Sequence, residues 1–258
     1  MRFIRWFGPT CVVIAAMAQS PAALPESPTP ATGKAAVDQL IPWLLDENQQ
    51  LRGVPFSELI FDTTGRKVLS FEANNAVDQR VAKAISAACD ETMKRLNAPD
   101  SVIQNIDRIN EVSSHFEDSL RELLSTTPGL KCDFPLTAEG KLQRSGYPDL
   151  RITDLGSKRV FYLDPKLYAA GSRDSSFRTF YFEPKKSTNK VREDAVHFVV
   201  GFEHALRETA SGSPKATWNF TRWDLVDLSR FTVKLKAEFQ GSNRDMYRPE
   251  AIVASSAK

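Results

Sequence analysis

The sequence predicts an α/β (α+β) domain built on a mixed sheet, preceded by a small N-terminal α/β subdomain of helix-hairpin-helix form. Three observations carry this expectation. Apolar residues recur at helical spacing from Ala76 to Leu96 and again from Val102 to Leu124. Two strand-like runs flank a Gly-Ser pair between Asp149 and Tyr168, and Arg230 to Phe239 alternates apolar with polar positions.

The chain opens with Arg2 and Arg5, a mostly apolar run from Trp6 to Ala18, and the small-x-small triplet Ala16-Met17-Ala18. That order reads as a signal peptide over residues 1–18 and predicts a periplasmic or secreted protein; a true start at Met17 would leave it in the cytoplasm. The run is too short to span a bilayer. Residues 19–36, rich in Pro, Ala, Ser and Thr, read as a flexible linker. The chain carries 34 basic and 32 acidic side chains, and losing Arg2 and Arg5 would bring the two into balance. A neutral protein has no global field to gather polyanions, so nucleic-acid affinity must come from a local patch. Cys11 would leave with the signal, so Cys89 and Cys132 are left either as a disulfide or as two buried thiols.

Residues 37–97 form the expected small subdomain. Residues 37–50 predict a short helix interrupted near Pro42, and Ser57 to Asp62 and Lys67 to Phe71 predict strands joined through Thr63-Thr64-Gly65-Arg66. Ala76 to Leu96 then predicts a helix with Val77, Val81, Ala84, Ile85, Ala88 and Met93 on its inner face. The larger domain is expected over 98–247, with 248–258 as a tail. Asn97-Ala98-Pro99-Asp100 breaks the first helix, and Asp100 or Ser101 suits the cap of the next, expected from Val102 to Leu124 and stopped by Pro128-Gly129.

The chemistry begins after Tyr147. Asp149 to Asp154 and Arg159 to Tyr168 read as paired strands around a Gly156-Ser157 turn. With Leu155 facing Lys158, Leu150 faces Leu163, Ile152 faces Phe161 and Asp154 faces Arg159 as an ion pair. The other side sets Thr153 against Val160, Arg151 against Tyr162, and Asp149 against Asp164, with Lys166 projecting from the same face. Carboxylates directly opposite in an antiparallel pair have Cβ atoms about 4.5–5.5 Å apart, and their repulsion weakens the hairpin unless something offsets it. A shared divalent cation fits, since Mg²⁺ takes one or two carboxylates plus water and phosphate. Lys166 and Arg151 could instead neutralise the pair without metal.

At these residues the sequence resembles the PD-(D/E)XK nuclease superfamily. Pro148-Asp149, fourteen intervening residues, and Asp164-Pro165-Lys166 stand where that family has its Pro-Asp and acid-x-Lys. The resemblance implies a restriction-endonuclease-like αβββαβ core, with Asp149 and Asp164 holding Mg²⁺ (or Mn²⁺) and Lys166 positioning or activating water and steadying charge on phosphate. The element order supports it through a helix over 102–124, a three-strand meander that ends in Phe177 to Glu183, a helix over 190–208 and the late strand Arg230 to Phe239. Pro165 departs from the pattern, being tolerable only at an edge or a bulge.

Between Lys158 and Arg192, nine basic side chains (Lys158, Arg159, Lys166, Arg173, Arg178, Lys185, Lys186, Lys190 and Arg192) stand against Asp164, Asp174 and Glu183. This patch suits phosphate contacts, and Tyr162, Tyr168, Phe180 and Tyr181 interleave with it as stacking or core residues. Glu183-Pro184-Lys185 repeats the acid-Pro-Lys spacing and offers a rival motif or third acidic ligand. The helix expected from Val191 would leave His197 and His204 about 10 Å apart along its axis, too far for one metal, with His197 as a phosphate contact or a surface residue. No zinc spacing, phosphate loop or nucleophile elbow appears. Two functions follow, a metal-dependent phosphodiesterase acting on nucleic acid or a non-catalytic binding or scaffold protein on the same fold.

Overall fold

The computed structural model describes residues 33–46, 52–176, 179–205, 208–209, 216–238 and 240–255; the expected signal peptide, most of the linker, Phe177, Arg178, Leu206 and Phe239 lie outside them. Met1–Gln50 and Leu51–Lys258 are separate compact units. In the first, Gly33–Leu45 forms helix α1, which runs through Pro42 without interruption.

In the second unit, Val54–Pro55 (β1) leads directly into helix α2, Phe56–Thr64, where a strand was expected. Phe56 and Ile60, four apart, share the buried face. The Thr63 and Thr64 hydroxyls donate to the carbonyls of Leu59 and Ile60. Gly65, left-handed at φ 68°, closes the helix with its N–H on the Phe61 carbonyl. The expected hairpin turn is therefore a helix C-terminus, and Val68–Leu69 (β2) is free to pair elsewhere.

Ala76–Asn97 (α3) forms as predicted, capped by Asn75, whose side-chain oxygen accepts from the Val77 and Asp78 amides. The next expected helix divides into a 3₁₀ turn, Val102–Asn105, and helix α4, Ile109–Thr126. The divider is Gln104, which is buried and donates to the carbonyls of Leu96 and Trp218 while accepting from the Trp218 amide. α4 buries Val112, Phe116, Leu120 and Leu124, a stripe at four-residue spacing.

The strands that follow are Leu130–Asp133 (β3), Leu150–Asp154 (β4), Val160–Ala169 (β5), Ala195–His204 (β6), Glu208–Thr209 (β7), Ala216–Thr217 (β8), Phe220–Asp227 (β9) and Thr232–Val233 (β10), before a short helix α5, Asn243–Met246. The main sheet runs β3-β4-β5-β6, and both β2 and β9 pair with β6 beyond it. β5 and β2 lie parallel to β6, whereas β3–β4, β4–β5 and β6–β9 are antiparallel. This mixed sheet with its helices is the α+β, restriction-endonuclease-like class that the sequence predicts.

Its element order differs from the expected αβββαβ in three places. β6 replaces the helix expected over 190–208. Its run Ala-Val-His-Phe-Val-Val-Gly-Phe is apolar on both faces because both are covered, and such a run carries no strand alternation to distinguish it from a buried helix. The meander is β3–β4–β5, so its third strand precedes the hairpin; residues 179–183 have no regular structure, and the half-buried Phe180 and Phe182 pack against the core. β9 completes the sheet in place of the strand expected over Arg230 to Phe239; among the described residues of that stretch only β10 is a strand, paired with β1.

Two apolar clusters cover the sheet. Phe161 and Leu163 of β5 join α3 and α4 in one, while Val160 and Tyr162, on the alternate face, join Phe56, Ile60 and Leu228 in the other. The expected Asp154–Arg159 ion pair does not form. Arg80 pairs with Asp154 and Arg159 with Asp78, so buried carboxylates at the hairpin end tie it to α3. The left-handed turn residue is Lys158, φ 63°, rather than Gly156; Asp154 accepts from the Ser157 amide and hydroxyl, and its carbonyl from the Lys158 amide. Cys89 and Cys132 are free, buried thiols. Among the described residues no helix is long and apolar enough to cross a membrane.

Candidate active site

The β4–β5 ladder sets Leu150 against Leu163, Arg151 against Tyr162, Ile152 against Phe161 and Thr153 against Val160, the register predicted from the sequence. Continued one step beyond Leu150, it brings Asp149 opposite Asp164. β4 stops there, so from Asp164 onward β5 pairs only with β6, and Pro165 lies where one side of β5 is open. A missing amide donor is tolerated at such an edge.

Asp149, Asp164 and Lys166 converge. The Lys166 ammonium forms an ion pair with Asp164 and stands 3.7 Å from Asp149. The side chains are 13%, 2% and 24% exposed for Asp149, Asp164 and Lys166. They sit in a cavity of about 410 Å³ whose walls include Glu117 of α4, Arg144, Tyr147 and Tyr181.

Burial raises the Asp149 carboxyl to about 9, and the neighbouring Asp164 charge adds to the rise against the opposing pull of Lys166. Burial alone would lower the Lys166 ammonium, but Asp164 and Asp149 together outweigh it and hold its pKa above the ordinary lysine value. Burial thus favours a neutral Asp149, and the acidic groups beside Lys166 favour its protonated form.

The remaining predicted residues are dispersed. His197 is wholly buried in β6, its Nδ1 2.7 Å from the Tyr147 hydroxyl and its Nε2 without a hydrogen bond; burial lowers its pKa to about 3. That excludes both a surface position and a phosphate contact in this arrangement. Glu183 pairs with Lys185 at the surface and does not line the Asp149–Asp164 cavity. Of the basic patch, Arg159 pairs with Asp78, Arg173 with Asp224, and Lys190 is buried. Trp218 and Trp223 anchor packing, donating to the Ile106 carbonyl and to Asp90.

Sequence reading missed Glu117 and Arg144. Glu117 faces the site from α4 and is held by Arg144 at 2.7 Å, which also pairs with Asp118 at 2.9 Å and lies over the Phe134 ring. A polar residue beside the apolar stripe of an amphipathic helix gives no sequence signal that it borders a site.

The donor chemistry fits a hard divalent cation. Two carboxylates face one another, and Asp164 Oδ2, buried, accepts no hydrogen bond of ordinary geometry and meets the Lys166 ammonium. No group of three or more His, Cys, Asp or Glu disposed to hold a metal occurs among the described residues. Two carboxylates suffice for Mg²⁺, which completes its shell with water and substrate phosphate.

The model of the Type II restriction enzyme MjaV family matches residues 49–250. A curated relative, the Type II restriction enzyme MjaV of Methanocaldococcus jannaschii, is 28% identical over 217 residues, covering 80% of this chain and 90% of the relative. These matches overturn the expected periplasmic or secreted destination, because restriction enzymes are typically cytoplasmic.

Proposed function

The chain belongs to the Type II restriction enzyme MjaV family, and from that premise we propose that it is a metal-dependent endonuclease of the PD-(D/E)XK type, hydrolysing phosphodiester bonds in DNA. The observation that best supports this is the convergence of Asp149, Asp164 and Lys166 in one cavity at the open end of the β4–β5 ladder. Asp149 and Asp164 would hold Mg²⁺, or Mn²⁺ in its place, which when bound supplies Lewis-acid stabilisation of the phosphoryl oxygens and a more acidic water.

The chain's own groups do the rest. Lys166, kept protonated chiefly by Asp164 beside it, acts as a donor and fixed positive charge; it orients the attacking water and steadies charge developing on phosphate. In that protonated form it is not the base. Burial favours the neutral form of Asp149, and a cation held beside it would favour the ionised form that serves as a ligand. Backbone phosphates beyond the cut would meet exposed members of the basic patch between 158 and 192, such as Lys186.

The test is incubation of the purified protein with unmethylated phage and plasmid DNA in Mg²⁺ or Mn²⁺. Discrete fragments that disappear with EDTA, or with Asp164→Asn, are expected. No cleavage of any DNA with either metal would overturn the reading and leave the binding-protein alternative, in which Lys166 alone neutralises the carboxylates.

A further inference from the structure

Lys190 precedes β6, is 1% exposed, and has no part in the chemistry above. Its ammonium lies 3.4 Å from the carbonyl oxygens of both Gln143 and Arg144. An ammonium carries three donors, and burying it is costly unless they are used. A methionine would fill similar space without that cost, so the charge calls for a function.

The two carbonyls begin the segment 143–149, which ends on Asp149. The same segment is fixed at two other points. The Arg144 side chain reaches Glu117 and Asp118 on α4, and the Tyr147 hydroxyl meets His197 on β6. Lys190 supplies the third tie, from the chain entering β6, whose neighbour β5 carries Asp164. It lies within electrostatic reach of Asp149, Asp164 and Glu117, which oppose the lowering of its pKa by burial.

We propose that Lys190 is a positioning residue for the cation site: by gripping the Gln143 and Arg144 carbonyls it holds the 143–149 segment so that Asp149 stands opposite Asp164. This rests on the reading of those two carboxylates as the cation-binding pair. Lys190 touches neither substrate nor metal, and its effect passes through the backbone.

The test uses the full chain without DNA. Lys190→Met is expected to weaken Mn²⁺ binding, measured by calorimetry, by about tenfold or more, the usual cost of removing a residue that orients a ligand. In metal-free protein it should also speed amide exchange at residues 145–149 while leaving α3 unchanged. Lys190→Arg, which keeps donors and charge, should restore both. Lys190→Gln, measured alongside in case the methionine variant does not fold, should lose less affinity than Lys190→Met. Mn²⁺ binding as tight as wild type in any folded Met or Gln variant, with unchanged exchange at 145–149, overturns the inference. Wild-type protein that binds no Mn²⁺ instead refutes the cation-site reading, and the exchange measurement still decides whether Lys190 positions the segment.

Discussion

Asp149 and Asp164 face each other across one ladder position, yet one ends a loop and the other lies within a strand, and that difference sets what each substitution does. Asp164→Asn is expected to abolish Mn²⁺ binding and cleavage together. Lys166→Ala should leave binding within a few-fold, because lysine is no ligand for a hard cation, and lower the single-turnover rate on the order of 100-fold. Equal loss of binding in both variants would contradict these roles. The Asp149–Asp164–Lys166 triplet was legible in the sequence because a hairpin register is arithmetic once the turn is placed. The partners of Asp154 were not. Local pairing suggested Arg159, but α3 brings Arg80 to Asp154 and offers Asp78 to Arg159, contacts set by tertiary packing. Burial works against ionised Asp154, but the Ser157 amide, the Ser157 hydroxyl and Arg80 outweigh it and lower its pKa to about 2. A carboxyl lowered by folding stabilises the native state above its unfolded value near 3.8, and the contribution is lost as pH falls toward 2. Asp154→Asn should therefore cost about 2 kcal/mol at pH 7, and urea titrations should show this deficit closing between about pH 4 and 2. A deficit independent of pH would mean that packing, not charge, is responsible.

At the scale of elements, the two long helices with one covered face were readable, whereas β6, covered on both faces and with no turn to mark it, was not. α3 and α4 announce themselves because half of each meets solvent, which imposes a 3.6-residue period. β6 lies between β5 on one side and β2 and β9 on the other, with apolar clusters on both faces, and its sequence loses the alternation that would reveal it. α2 was misread for a different reason, since Thr-Thr-Gly serves equally as a turn and as a helix end. Gln104 divides the expected second helix by tying the end of α3 to the chain entering β9. Gln104→Leu keeps the volume but strands the buried groups it served, and should cost about 1–3 kcal/mol in urea unfolding. A neutral effect would show that water takes over these bonds.

At the scale of the molecule, Cys89 and Cys132 sit within one apolar cluster rather than in a covalent bridge. Burial raises both thiols, Cys132 to about 12, with the neighbouring Asp90 and Asp133 adding to the rise in Cys89 and Cys132 respectively. With Cys11 replaced by Ser, labelling by a thiol reagent should follow the global unfolding curve; fast labelling of native protein would mean that the α3–α4 face opens locally. The turn joining β4 to β5 carries a consequence for the gene. Because side chains alternate with a period of two, one codon inserted between those for Leu155 and Lys158 and absorbed by sliding β5 would set Leu163 against Asp149 and turn Asp164 and Lys166 to the other face. Insertions there are compatible with inheritance of the site only if they bulge outward as extra loop, so related genes should vary this turn in length while conserving the paired positions on either side.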